Sequence, residues 1–542
     1  MLPTARTAER VRRPLPAGPV DIAIVGAGLG GLVAGAALAK AGYSVACFDQ
    51  HYVAGGCATM FARGRADARF AFDVGIHYVG DCGPDGRLPV LLRAAGADIE
   101  WVPLDPDGFD TLVFPDFRFR IPADRALYRD RLVEMFPHER KGIDRYCGFL
   151  SQVARAGGRM ETGGSGWRTM LDVALHSRDV VRYRNATVNE VLGDCVQDPK
   201  LRAVLVGQAG DYGVAPSEAS ALLHAGLQNH YFKGAYYPKG GGQVIADALC
   251  DVIEAHGGSV HLRCGVSKIR VENGKAVGVL LEESGHFGGA RVDARLVLSN
   301  ADLQRTMFEL VGAEHLPKAM VQEARGWKMG GALYLLALGI RGGPRIGASN
   351  IWAFDGYDMD QMSKSMMGPD GPVVHGCYVT SASAKDPTTP GHAPPGHSTI
   401  EVMALVPGDA PSWGVADDDV VLRGRYRQNP VYRERKQRVE EDLIRRVDAL
   451  FPGMAGDIVF REGASPLTQT RYTRATNGTG YGLAATPAQF LQNRPGYRGP
   501  IDGLFLCGSS TRAGHGIGGV VSGGWKAARR VAEALGGKLD AP

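Results

Sequence analysis

Three glycines near the start of the chain have the spacing of a phosphate-binding turn. Gly26, Gly28 and Gly31 form the pattern G-x-G-x-x-G, and Asp49 follows eighteen positions after Gly31. In such a pattern the first glycine makes a tight turn, the second lets the backbone approach a pyrophosphate, and the third lets a helix pack on a strand. The phosphates lie at the positive end of that helix, and the acid binds ribose hydroxyls. We therefore predict that these four residues bind a dinucleotide.

The residues around this pattern predict the elements that the chemistry requires. Residues 20–25 form a short apolar run, residues 32–41 favour a helix, and residues 44–48 read as a second strand that ends at Asp49. This context argues against a chance glycine-rich loop, but it does not distinguish FAD from NAD. The apolar run over residues 22–39 contains five glycines, so we assign it to this unit rather than to a membrane helix.

A second glycine pair decides between the two dinucleotides. Gly55 and Gly56 follow shortly after Asp49, where flavoproteins with two dinucleotide-binding domains support the FAD diphosphate. No second G-x-G-x-x-G placed directly after a strand and before a helix occurs later in the sequence. We therefore predict permanently bound FAD and no separate nicotinamide domain.

The C-terminal segment predicts another contact with the cofactor. Residues 504–507 read as a strand, a glycine-rich turn follows, and a helix runs to Leu535. The amides of Gly508, Gly516 and Gly518 are free to bind phosphate or the edge of the flavin ring in such a turn. A plain helix cap is the alternative, although it requires fewer glycines.

Composition excludes several other classes of protein. Of the 542 residues, 44% are hydrophobic and 22% are charged, which excludes wholesale disorder. The net charge of +4, without a Lys/Arg stripe interleaved with aromatic residues, argues against nucleic-acid binding. The 9 cysteines are scattered and never spaced C-x-x-C, so we expect reduced thiols in a cytoplasmic protein and no metal site.

Residues 1–18 are expected to be a disordered basic leader, and an export signal around Arg12-Arg13 is the alternative.

Several sequence motifs resemble those of a known superfamily. The segments "GAGLGGL", "DVGIHYVG" and "GLFLCGSSTRAGHGIGG" together resemble the phytoene desaturase superfamily of FAD oxidoreductases. Residues 210–249 are similar to the corresponding stretch of all-trans-retinol saturases and carotenoid cis-trans isomerases, and "VLSNADL", "ASPLTQTRYT" and "GTGYGL" look like further family motifs. The resemblance covers residues 20–535. The C-terminal motif departs from many relatives in carrying Arg512 and His515 among its glycines.

The resemblance implies an α/β fold of the two-dinucleotide-binding-domain flavoprotein type. A discontinuous, Rossmann-like FAD domain would comprise residues 19–111, 232–310 and 499–542. A mixed α+β substrate domain would comprise residues 112–231 and 311–498. The sequence supports this division on its own, because residues 244–256 read as a helix, residues 259–263 as a strand and residues 266–281 as a hairpin that turns at residues 272–275.

The resemblance also implies which residues lie at the flavin. The "DVGIHYVG" motif would run along the ring, so that Asp73 and Gly75 contact the cofactor and His77 touches the ring or relays a proton. A structural histidine is the equal alternative. Lys239 would approach the ring as a cation, with a surface lysine as the alternative.

Three further residues are candidates for contact with substrate or cofactor. Tyr212 could donate a proton to the substrate, although a tyrosine there is more often a packing residue. Arg512 and His515 would make polar contacts with flavin or substrate, or would be ordinary turn residues.

The implied reaction is hydride transfer between flavin N5 and a carbon of a long conjugated or isoprenoid chain. A saturase or desaturase is the first hypothesis, and a redox-neutral cis-trans isomerase is the second. A protein that binds prenyl lipids without redox chemistry, as in the Rab GDP-dissociation inhibitors, is a third. The expected partner is a lipophilic small molecule with an unknown electron donor or acceptor. Peripheral membrane contact through the Arg-rich segment "HSRDVVRYRN", near Trp167 and Met170, is weighed against a solvated helix face.

Overall fold

The computed structural model describes residues 5–65, 68–163 and 167–540. The α-helices in these residues, in chain order, are α1 (Ala5–Arg12), α2 (Leu29–Lys40), α3 (Arg87–Ala95), α4 (Arg125–Met135), α5 (Arg140–Gly163), α6 (Trp167–His176), α7 (Arg178–Arg182), α8 (Val188–Cys195), α9 (Pro199–Leu205), α10 (Ala221–Tyr231), α11 (Gln243–Ala255), α12 (Leu303–Arg305), α13 (Lys318–Arg325), α14 (Met359–Lys364), α15 (Ala382–Lys385), α16 (Asp418–Leu422), α17 (Pro430–Leu450), α18 (Pro466–Thr473) and α19 (Gly516–Ala534).

The strands of the described residues are β1 (Val20–Val25), β2 (Val45–Phe48), β3 (Met60–Arg65), β4 (Ala68–Asp73), β5 (Val79–Gly80), β6 (Trp101–Pro103), β7 (Asp110–Val113), β8 (Arg118–Ile121), β9 (Ala235–Pro238), β10 (Ser259–His261), β11 (Val266–Glu272), β12 (Lys275–Leu281), β13 (Arg291–Ser299), β14 (Ala332–Arg341), β15 (Asn350–Phe354), β16 (Met367–Gly368), β17 (Gly371–Pro372), β18 (Gly376–Thr380), β19 (His397–Val406), β20 (Ile458–Ala464) and β21 (Leu504–Leu506).

The first sheet is the parallel sheet that the glycine pattern predicts. Strands β10, β2, β1, β13 and β21 lie side by side and run parallel, and the antiparallel hairpin β11–β12 extends the sheet beyond β13. The hairpin turns at Asn273 and Gly274, both with positive φ, as a two-residue hairpin turn requires. The residues of α2 from Leu29 to Ala39 are buried, because this helix is covered by both α11 and α19.

The second sheet has the strand order β20-β14-β19-β18-β15-β7-β8 and is antiparallel except where β15 meets β7. Helices α4 to α10 lie in one stretch of chain between β8 and β9. The small sheet β5-β9-β6 joins segments that flank this helical stretch. Because β7 begins at Asp110, the predicted domain boundary between residues 111 and 112 cuts a strand of the second sheet. The division into domains otherwise stays a proposal.

The structure corrects the predicted disordered leader. Residues 5–12 form α1, which lies beside β10. The side chain of Arg10 is buried and donates to Glu254 (2.9 Å) and Asp251 (2.9 Å) of α11. This basic segment is therefore tied to acidic residues of the first domain, and residues 1–4 lie outside the described residues.

Candidate active site

The N-terminal glycine turn is clamped by a residue that the sequence analysis left unassigned. The amide of Asn300, which follows β13, donates to the Gly26 carbonyl (3.2 Å) and accepts from the Cys507 thiol (3.3 Å). A Cβ at Gly28 would lie 2.9 Å from Asn300 Nδ2, and a Cβ at Gly31 would lie 2.5 Å from the Gly26 carbonyl oxygen. Larger residues at these positions would therefore displace the turn.

Asp49 holds the same turn from the end of β2. Its carboxylate accepts from the backbone N–H of Ala27 (2.7 Å) and of His51 (2.7 Å). Both Asp49 and Gly28 line the large cavity described below, whereas Gly31 packs beneath the turn. Contact of Asp49 with a ribose stays a prediction.

The second glycine pair lies against the first turn. Gly55 and Gly56 have φ values of +128° and +61°, which favour glycine. A Cβ at Gly56 would lie 3.3 Å from the Gly28 Cα, and a Cβ at Gly75 would lie 2.9 Å from the Cys57 carbonyl oxygen. The structure thus brings Gly28, Gly56 and Gly75 together along one wall of the cavity.

The C-terminal turn lies beside the first turn, since a Cβ at Gly30 would lie 3.2 Å from the Gly508 nitrogen. Gly508, with φ +92°, approaches Asn300, and Arg512, His515, Gly516 and Gly518 all line the cavity. Neither α2 nor α19 has a side-chain hydrogen bond at its N-terminal cap. Two helix N-termini with positive dipole ends therefore border the same space, which suits an anionic diphosphate.

The cavity has a volume of about 1890 Å³ and is lined by residues of both large sheets. Ligand pockets of about 300–1,000 Å³ hold one small molecule, so this cavity has room for a cofactor and a second long molecule. Its far end is apolar and is lined by Leu223, Leu227, Trp352, Phe354, Met359 and Met362. Among the described residues, no group of three or more His, Cys, Asp or Glu is placed to hold a metal ion.

His77 lies between the glycine turns and the apolar end. Its ring lines the cavity, and its Nε2 atom is buried with no hydrogen-bond partner among the described residues. Its backbone carbonyl accepts from the Lys385 ammonium group (2.5 Å). Burial and the charge of Lys385 lower the pKa of His77 to about 3. The imidazole is therefore neutral at pH 7, and both its contact with the ring and its part in a proton relay stay predictions.

Asp211 is the carboxyl group best placed to exchange a proton in the cavity. It lines the cavity and accepts from the hydroxyls of Tyr78 (2.7 Å) and Tyr231 (3.1 Å). Burial and the nearby carboxylate of Asp110 raise the pKa of Asp211 to about 7. The group is thus half-protonated near neutral pH.

Asp110 differs from Asp211 in the number of groups that donate to it. Its buried carboxylate accepts from Tyr78 (3.0 Å), Gln208 (2.8 Å), Asn350 (2.8 Å) and Trp352 (3.1 Å). Four donors stabilise the charged form. Burial raises the pKa of Asp110 as well, but its four donors oppose that rise. Since one hydroxyl proton of Tyr78 cannot serve two carboxylates fully, Asp110, with more donors, keeps the charge and Asp211 takes the proton.

Tyr212 lines the cavity but is occupied in a buried chain of hydrogen bonds. Its hydroxyl meets His224 Nδ1 (3.2 Å), and Tyr146 meets Nε2 of the same ring (2.7 Å). Burial raises the pKa of Tyr212 and lowers the pKa of His224 to about 4. His515 is likewise neutral, with a pKa of about 3 caused by burial and by Arg494, and its Nδ1 atom has no partner among the described residues.

Two predicted site residues lie elsewhere. Lys239 is outside the cavity and forms a surface ion pair with Glu100 (2.7 Å), so the prediction that it approaches the flavin is wrong. Asp73 is buried behind the cavity wall, where it accepts from Gly242 N–H (2.8 Å) and from the Tyr237 hydroxyl. Asp73 therefore supports the loop instead of lining the site.

A buried cation near this site that the sequence analysis missed is Lys385. It lies between Tyr78 and Tyr237, with its ammonium nitrogen 5.9 and 5.6 Å from the two ring centroids. Burial lowers the pKa of Lys385, and burial together with Asp73 raises the pKa of Glu401 on β19. In the sequence, the one sign that Lys385 could be buried near the site is its position directly before the Pro/Gly-rich loop between β18 and β19. That loop carries the buried residues Asp386 and His392.

A parallel sheet whose glycine turns and uncapped helix N-termini border a long cavity defines a dinucleotide-binding protein. The cradle fits a dinucleotide, because only glycines let its turns pack this closely on one another beside the cavity. The chain belongs to the flavin containing amine oxidoreductase family, whose model matches residues 29–532. The protein is an FAD-dependent oxidoreductase, and the predicted cofactor is confirmed.

The sequence relatives confirm the predicted resemblance. The all-trans-retinol 13,14-reductase of Danio rerio is 28% identical over 538 residues, covering 90% of this chain and 85% of that protein. Prolycopene isomerase 2 of an Oncidium hybrid cultivar is 25% identical over 544 residues, covering 96% and 85%. An oxidoreductase from Methanosarcina mazei shares the fold with a TM-score of 0.59 at 20% identity, over 93% of this chain and 99% of that one.

Proposed function

We propose that this protein transfers hydride between FAD and a carbon–carbon double bond of a lipophilic polyene or isoprenoid, with saturation as the favoured direction. The observation that carries the proposal is the continuity of the cavity from the glycine turns to an apolar end. An apolar end of this kind excludes water and accepts a long hydrocarbon chain. The names of the reductase and isomerase relatives support a substrate of this class.

The chain's own residues divide the work of holding the cofactor and the substrate. The turns at Gly26, Gly28, Gly56, Gly508 and Gly516 would hold the diphosphate-linked cofactor. FAD, when bound, supplies or accepts a hydride at N5. His77 and His515 stay neutral beside it, so neither adds a positive charge next to an apolar chain.

Saturation of a double bond requires a hydride at one carbon and a proton at its neighbour. We assign the proton to Asp211, whose carboxylic acid form is populated near pH 7. Its O–H bond breaks as the new C–H bond forms, and the hydroxyls of Tyr78 and Tyr231 stabilise the carboxylate that remains. In the oxidative direction the same carboxylate accepts the proton.

The test of this function is anaerobic. The holoenzyme is reduced with dithionite and mixed with a panel of retinoids, carotenoids and isoprenoid lipids, while flavin reoxidation and product mass are followed. Reoxidation with a gain of two hydrogens establishes a saturase. Reoxidation with none of these substrates contradicts the proposal.

The second candidate is a redox-neutral cis-trans isomerase, which the prolycopene isomerase relatives favour. Isomerisation changes geometry at constant mass and leaves the flavin reduced, so the same experiment separates the two reactions. A lipid-binding role without redox chemistry predicts no flavin in the purified protein. The electron partner is unassigned, and the cytoplasmic location stays a prediction from the sequence.

A further inference from the structure

We propose that α6 and the end of α5 form a docking surface for an anionic lipid membrane, from which substrate enters the cavity. The inference rests on the proposed function for its substrate, but the surface is defined independently. We call it the α6 face and define it by Met160, Trp167, Leu171 and Leu175.

The α6 face exposes large apolar side chains that the fold leaves uncovered. Trp167 is 72% exposed, Leu171 52%, Leu175 62% and Met160, on α5, 42%. Trp167, Leu171 and Leu175 are spaced four residues apart, so they share one side of α6. Exposed apolar residues grouped in this way mark an interaction site, whereas singly scattered ones need no explanation.

The positive charge around the α6 face indicates an anionic partner. Residues 155–184 contain six arginines against three acids. Arg155, Arg168, Arg178 and Arg184 are exposed, and the Arg168 guanidinium stacks on the Trp167 ring at 5.4 Å from its centroid. Apolar residues bordered by arginines match the interface of an anionic bilayer. A second copy of this chain, packed by two-fold symmetry, would place like charges opposite each other.

The cavity reaches the surface beside the α6 face. Val153, Ala154 and Gly157 of α5 line the cavity, and Gly157 is also exposed. Two residues further on, Arg159 pairs with Asp172 of α6 (2.8 Å), which holds α6 beside this opening. A bilayer in contact with the α6 face would therefore cover the opening, so that a lipophilic molecule could pass from lipid to cavity without crossing water.

No helix among the described residues has the length and apolarity needed to cross a bilayer. The geometry instead points to binding in the plane of the membrane surface, as an amphipathic helix does. Trp and Leu side chains of α6 would enter the boundary between headgroups and acyl chains, while the arginines contact headgroup phosphates.

The holoenzyme tests the proposal by co-flotation with vesicles of phosphatidylcholine alone or of phosphatidylcholine with phosphatidylglycerol. We expect binding to the anionic vesicles only, weakened by high salt. The triple variant Trp167→Ser, Leu171→Ser, Leu175→Ser should reduce the bound fraction by about tenfold or more. The control is Val459→Ser, which changes an exposed apolar residue (43%) on β20, away from the α6 face, and should bind as wild type does.

Brominated lipid supplies a second measurement that does not depend on the triple variant's stability. Quenching of tryptophan fluorescence by brominated vesicles should be present in the wild type and largely lost in Trp167→Phe. Absence of flotation, or unchanged quenching in Trp167→Phe, overturns the proposal. A triple variant that turns a wild-type dimer into a monomer in sedimentation also overturns it, because a second copy would then cover the face.

Turnover of substrate dispersed in detergent separates this inference from the proposed function. The triple variant should keep wild-type turnover there and lose it only with substrate in vesicles. If neither protein turns over any polyene, the proposed function fails while flotation still decides the docking surface.

Discussion

Replacement of Asp211 by Asn tests the assignment of the proton donor. The Asn carbonyl oxygen can still accept from Tyr78 and Tyr231, so the packing of the cavity wall is kept. The variant cannot give a proton to carbon. General acid catalysis contributes about 10²–10⁴-fold, and we expect a loss of that size in the rate at which reduced enzyme is reoxidised by its polyene.

The size of the effect follows from the surroundings of the carboxyl group. An unperturbed aspartic acid of pKa about 3.9 would be protonated in roughly one molecule in a thousand at pH 7. Burial and Asp110 raise the pKa of Asp211 to about 7, so that about half of the molecules carry the proton. The wild-type rate of saturation should therefore fall as pH rises above 7.

The same shift in pKa makes a prediction about stability. The folded-state pKa of Asp211 is raised above the unfolded one, so the folded protein binds more protons between about pH 4 and pH 7 and loses stability as pH rises through that window. The loss is on the order of 4 kcal/mol, because each pKa unit corresponds to about 1.4 kcal/mol. The Asp211→Asn variant does not lose stability in this way as pH rises. The difference by which its Tm exceeds that of the wild type should therefore grow from pH 5 to pH 8.

Two assays check the assignment. Single-turnover reoxidation, recorded anaerobically from pH 5.5 to 9, gives the rate profile, and thermal unfolding of the holoenzyme gives the stability profile. Asp110→Asn is the comparison, since loss of its charge should lower the pKa of Asp211 and move the decline in rate to lower pH. An Asp211→Asn enzyme with a wild-type rate at pH 7 would refute the assignment, whatever its stability.

Three further predictions concern the cradle and its supports. Gly31→Ala places a Cβ against the Gly26 carbonyl and should reduce the flavin retained on purification at least tenfold, measured by absorbance, whereas Gly148→Ala, in open space within α5, should retain it fully. Lys385→Met removes the buried donor to the His77 carbonyl and should lower the free energy of unfolding by about 1–3 kcal/mol in urea denaturation. Lys239→Met breaks only a surface ion pair, so a change beyond about 0.5 kcal/mol, or any loss of turnover, would contradict its placement outside the site.

The sequence predicted the parts of this molecule that depend on local pattern. The apolar run before Gly26, the acid after β2 and the Asn-Gly hairpin turn are short-range signals, and the structure has β1, β2 and β11–β12 where they indicate. A local signal of the same kind starts α17 at Pro430, because Asn429 at its N-cap accepts from the N–H groups of Val431 and Tyr432. The prediction of a disordered leader was wrong because α1 is held by acidic residues of α11, which lie far away in the chain.

The reactive side chains of the site could not be read in the same way, because their properties arise from contacts between distant segments. Lys239 and Lys385 are both lysines in or beside polar turns, yet Glu100 holds the first at the surface and the His77 carbonyl holds the second in the interior. Asp211 and Tyr212 are adjacent, but the tyrosine hydroxyl is taken by His224, whereas the carboxyl group meets Tyr78 and Tyr231.

Two carboxyl groups compete for the hydroxyl of Tyr78, and this competition determines which of them can donate a proton. Tyr78 lies between Asp110, which four donors stabilise as an anion, and Asp211, which has fewer donors and faces the cavity. Burial and the negative charge of the first carboxylate raise the pKa of the second. Asp110 is therefore a structural anion and Asp211 a titratable acid. In an apolar cavity at neutral pH, the reaction requires such an acid as its proton donor.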